Sequence, residues 1–114
     1  DLDDVPHISP TGEFWIAADT DIGYGSGSIQ LIARDGKGFR ILATDFTHGF
    51  CAFVRWRDAH NVSLNCPVTR DDGVDFDDIR EVEITRSAAG AWSETESTQK
   101  ISYDDYLRAA GGLP

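Results

Sequence analysis

Five carboxylates crowd into eight residues at Asp71-Asp-Gly-Val-Asp-Phe-Asp-Asp78. Asp71, Asp72, Asp75, Asp77 and Asp78 surround one aromatic side chain, Phe76, an uncommon occupant of a purely solvated loop. Two kinds of chemistry suit such a pattern. A basic protein partner would be steered by the charge and anchored by the ring, which makes these six residues the candidate partner-binding site. Calcium, a hard cation that collects many oxygen ligands, would draw on the alternating Asp71, Asp75 and Asp77. The spacing serves calcium poorly. Counting from Asp71, Phe76 takes the sixth position, where a helix-loop-helix calcium site needs Gly, and Val82 takes the twelfth, where it needs Glu. The same count from Asp19 puts Tyr24 and Gln30 at those places.

Nucleophilic and acid–base chemistry lack a comparable signal. His7, His48 and His60 all fall in expected turns or loops, and no GxSxG, HExxH or Cys-plus-His signature accompanies them. His48 is the best placed, three residues before Cys51. The run Gly23-Tyr-Gly-Ser-Gly27 invites comparison with phosphate-binding loops, but those need a strand before and a helix N-terminus after. Here a strand follows, and Asp19 and Asp21 repel phosphate. Trp92, beside Glu94 and Glu96, is expected to cover one end of the core, the alternative being an exposed interface anchor. The chain reads as non-catalytic and without a resident cofactor.

Two cysteines, Cys51 and Cys66, allow one bridge. In a hairpin turning at 58–61, Cys51 faces Val68, whereas a two-residue turn at 58–59 sets it directly opposite Cys66. Only the second register brings the Cβ atoms close enough to bond, and a bulge would convert one register into the other. A Cys51–Cys66 disulfide is the expectation.

Charge narrows the partners. Twenty Asp and Glu against ten Lys and Arg give a formal net charge of -10. That field repels nucleic acid and anionic membranes and favours a basic protein. No apolar run is long enough for a membrane span. A start at Asp1 reads as a mature or trimmed chain, or equally as a piece of a longer one; the first reading, with the paired cysteines, points to a periplasmic or secreted protein. Eight of the ten basic residues are Arg, which suits a bacterial source.

The elements that must position these residues are mostly strands. With 114 residues the chain fits a single acidic domain, 1–114, opened by an irregular arm over 1–12. Strands are expected at 13–18, 28–34, 39–44, 50–57, 62–66, 79–86 and 91–96, with residues 69–78 forming a carboxylate-rich loop. Asp35-Gly36 between apolar runs marks a hairpin, because Gly accepts the positive φ of the turn. In the segment 79–86, Val82 and Ile84 share one face and Glu81 and Glu83 the other. Ser102, three residues before Asp105, starts a short helix over 103–110, with Ile101 and Tyr106 as a hydrophobic staple. The fold class is therefore mainly β: a small antiparallel sandwich or curled half-barrel of about seven strands with one short C-terminal helix. Two functions are consistent with it. One is an exported inhibitor- or immunity-like binding domain, and the other is an accessory domain with a calcium loop.

Overall fold

Alternation along the chain builds two apolar faces, and these close on each other. A computed structural model describes residues 6–18, 29–36, 38–43 and 46–109, apart from the side chains of Asp35 and Ala43. Its strands are β1 (His7–Ile8), β2 (Phe14–Ala18), β3 (Ile29–Asp35), β4 (Gly38–Ala43), β5 (Ala52–Asp58), β6 (Asn61–Arg70), β7 (Gly73–Arg86) and β8 (Trp92–Ile101). A helix, α1 (Tyr103–Ala109), follows them. The strands form two antiparallel sheets, β1-β2-β3-β4 and β5-β6-β7-β8. Ile16, Ala18, Ile29 and Leu31 of the first sheet share one buried cluster with Val62, Leu64, Cys66, Val82 and Ile84 of the second. Each large side chain so buried contributes roughly 1.5–3 kcal/mol relative to exposure. The result is a sandwich, not a closed barrel.

The strand count is eight rather than seven. His7 and Ile8, read from sequence as part of an irregular arm, pair with Ile16 and Trp15 as β1. The stretch 69–78 is not an open loop. β6 and β7 run through it and turn tightly at Asp71-Asp72, with Arg70 opposite Gly73, whose φ of 124° suits Gly alone. Pro67 sits within β6 instead of ending it. Opposite it the register jumps from Pro67↔Ile79 to Val68↔Asp75, leaving Phe76, Asp77 and Asp78 as an unmatched bulge. Proline has no N–H to give to a ladder, so an interruption of the pairing there is expected. β8 likewise extends beyond Glu96 to Ile101. The Asp19–Gly27 loop lies outside the described residues.

The Ser102 cap forms as expected, with the Asp105 N–H donating to Ser102 Oγ at 3.1 Å. Tyr106 then packs with Ala52, Ile79 and Ile101 on the outer face of the second sheet. The disulfide forms too. Two register shifts in β5 carry the pairing from Asp58↔Asn61 to Ala52↔Asn65, one step from Cys51 opposite Cys66. Cys51 and Cys66 are bridged with their Cα atoms 4.2 Å apart.

Candidate functional site

The second sheet has an arm. β5 accompanies β6 only as far as Asn65, and β8 accompanies β7 only from Ile79 onward. Beyond Pro67 and Ile79, β6 and β7 pair with each other alone, through Val68↔Asp75, Thr69↔Val74 and Arg70↔Gly73. Asp71 and Asp72 stand exposed at its tip.

The arm's base is fixed by the bulge. Phe76 is half-buried and meets Phe50 edge-on, with ring centroids 5.8 Å apart. Phe50 holds a φ of 55°, unusual for a bulky side chain. It is held from three sides: by the Phe76 ring, by the Tyr106 hydroxyl donating to its carbonyl, and by the bridged Cys51 beside it. Asp78 is buried between two guanidinium groups, accepting from Arg80 Nε at 2.6 Å and Arg70 Nη2 at 2.7 Å. Arg70 Nε also reaches Asp75 at 3.0 Å. The Arg80 hydrogen bond chiefly holds Asp78 below the usual carboxylate range, and the Arg70 bond does the same for Asp75.

The six sequence candidates therefore divide. Asp75, Phe76 and Asp78 are engaged within the domain, whereas Asp71, Asp72 and Asp77 are exposed and form no ion pair among the described residues. Sequence reasoning missed Arg70, Arg80 and Phe50. The signal for the two arginines was present, since they flank the acidic run on either side. For calcium, Asp75 is already taken by Arg70, and no group of three or more His, Cys, Asp or Glu converges as a metal site among the described residues.

A second polar cluster lies where the chain crosses between sheets. Val82 and Ile84 point into the core, and their β8 partners are Glu96 and Glu94. Paired residues share a face, so both glutamates occupy inward positions on an edge strand. The crossing segment satisfies them. Glu94 accepts from the Thr47 and His48 backbone N–H groups at 3.0 and 3.1 Å and from the Thr47 hydroxyl at 2.9 Å. His48 places Nδ1 at 2.9 Å from Glu94 and Nε2 at 2.9 Å from Glu96. Ionised carboxylates only accept, so both ring nitrogens must carry a proton. Burial opposes that charge, but the bonds to Glu96 and Glu94 and their charges outweigh it and raise the His48 pKa above 6.5. A doubly protonated imidazole has no lone pair to act as a base. This cluster ties the crossover to β8.

The other two histidines lie apart from this cluster. His7 stacks on Phe53 with centroids 3.8 Å apart, and burial lowers its pKa. His60 donates its backbone N–H to Asp58 at 2.8 Å in the β5–β6 turn. Trp92 packs against the core and meets Phe14 edge-on at 5.1 Å, so it covers the core's end as expected. Among the described residues, no helix is long and apolar enough to cross a membrane. Comparison with family models, with curated proteins and with solved structures returns no match.

Proposed function

We propose that this is a non-catalytic binding domain that presents the β6–β7 arm to a basic protein partner, as inhibitors and immunity proteins do. One observation carries the reading. The arm stands beyond its sheet with Asp71 and Asp72 at its tip, while its base is locked by Phe76, Arg70 and Arg80. A rigid projection with unpaired charge suits partner binding, because little ordering is needed on contact and charge accelerates encounter. The Cys51–Cys66 bridge supports placing that encounter in the periplasm or outside the cell.

The test compares the native chain with an Asp71→Asn, Asp72→Asn, Asp77→Asn variant as bait in extracts of the source cell. A basic protein retained by the native chain, released by salt and lost from the variant is the expected result. Equal retention on both baits overturns the reading.

A further inference from the structure

We infer that a cleft at the opposite end of β7 from the arm binds a small anionic molecule through Arg40 and Arg86. The open cleft spans about 510 Å³ between the start of β2, the end of β3, β4 and the end of β7. Arg34, Arg40 and Arg86 line it together with Glu13, Phe14 and Ala33.

Four of the eight arginines form ion pairs among the described residues. Arg57, Arg70, Arg80 and Arg108 each take a carboxylate at 2.6–3.4 Å. Arg34, Arg40 and Arg86 take none among the described residues. Arg40 pairs with Ala33 and Ala33 with Phe14, so Arg40 shares the face of the Phe14 ring that Arg86 covers, whereas Arg34, paired with Phe39, faces the other side. Two like charges on one face repel each other, and a bound anion offsets that cost. Among the described side chains lining the cleft, Glu13 is the single carboxylate.

Arg86 is also pre-positioned. Its guanidinium carbon lies 5.8 Å from the centroid of the Phe14 ring, a cation–π contact. Gly90, whose φ of 92° favours glycine, lies beside it: a Cβ there would stand 3.3 Å from Arg86 Nη2. A planar guanidinium fork recognises carboxylate or phosphate oxygens in pairs. The volume exceeds what a bare phosphate fills and falls in the range of small-molecule sites. The ligand class is therefore a small molecule with more than one anionic group, either a phosphate compound or a polycarboxylate. The inference does not rest on the arm or on its partner.

The test is titration calorimetry at low salt with pyrophosphate and with citrate, using glycerol as a neutral control. Saturable one-to-one binding of either probe is expected; pyrophosphate alone identifies a phosphate site, citrate alone a polycarboxylate site. Arg40→Gln and Arg86→Gln should each weaken binding about tenfold or more, the loss of one charge-assisted hydrogen bond. Arg86→Gln also removes the Phe14 contact, so the exposed Arg40 is the cleaner variant, and a thermal melt confirms its fold. Arg55, which has no ion pair among the described residues and lies outside the cleft, is the control, and Arg55→Gln should leave the affinity unchanged. Absence of saturable binding with both probes, or an equal loss in Arg55→Gln, overturns the inference.

Discussion

His48 and Glu94 are joined twice, once by the imidazole Nδ1 at 2.9 Å and once by the His48 backbone N–H at 3.1 Å. The pairing gives stability a pH dependence whose sign is fixed. The His48 pKa is raised above its ordinary 6.5, so its contribution is fully present below that value and is lost as pH rises through the folded pKa. Burial works against the Glu94 charge, but the Thr47 and His48 hydrogen bonds prevail and lower its pKa below 4.5. Its contribution is present above 4.5 and is lost as pH falls through the folded pKa. Between these two ordinary values the network contributes in full. Urea unfolding across this range and above it should show stability declining on the alkaline side, and His48→Gln should flatten that decline. A native profile as flat as the variant's would count against an imidazolium at this position.

Phe76 separates two roles that the sequence left open, partner anchor and core pin. Its half-burial and its contact with Phe50 assign it to the base of the arm. A fully buried Phe costs about 3–5 kcal/mol on truncation to Ala, and a half-buried one should cost less. Phe76→Ala is therefore expected to destabilise by roughly 2 kcal/mol in a denaturant titration. A change within about 0.5 kcal/mol, the usual range for surface substitutions, would return Phe76 to the role of an exposed anchor.

The contrast between these two places shows what the sequence could reveal. Alternation in Val82 and Ile84 named the core face of β7 directly, because a strand's period of two leaves no freedom once a face is buried. The same rule, applied from Trp92, would have put Glu94 and Glu96 on the inner side. Two glutamates at core positions are implausible without the Thr47–His48 crossover that satisfies them. That crossover is a long-range contact, 46 residues apart for His48 and Glu94, and local patterning carries no trace of it. The acidic run misled for a related reason. Asp75 and Asp78 read as part of an open acidic loop, yet Arg70 and Arg80 neutralise them across a bulge.

The helix cap offers a local test. Ser102 Oγ receives the Asp105 N–H and the Ser102 carbonyl receives the Tyr106 N–H. Ser102→Ala removes the first of these and should cost about 1 kcal/mol, measured as a lower unfolding midpoint. Ser102→Asp, which keeps an acceptor, should restore most of the loss. Equal stability of Ser102→Ala and the native chain would mean that Tyr106 packing alone holds the helix.

The bridge between Cys51 and Cys66 makes the last prediction. Both residues are fully buried, and 15 positions separate them along the chain. Closing a loop of about that length restricts the unfolded chain by roughly 3 kcal/mol. Adjacent strands already hold the two cysteines together in the folded state, so the bridge acts mainly on the unfolded ensemble. The two-sheet core around Leu31, Leu64 and Ile84 is large enough for the domain to fold without it. Two outcomes follow for protein prepared under oxidising conditions. Thiol titration after denaturation without reductant should find no free thiol. The Cys51→Ala, Cys66→Ala variant should keep its β-sheet circular dichroism and lose roughly 3 kcal/mol of unfolding free energy. Two reactive thiols per chain would contradict the bridge. An intact bridge whose removal costs under about 1 kcal/mol would instead mean that the β5–β6 hairpin persists in the unfolded state.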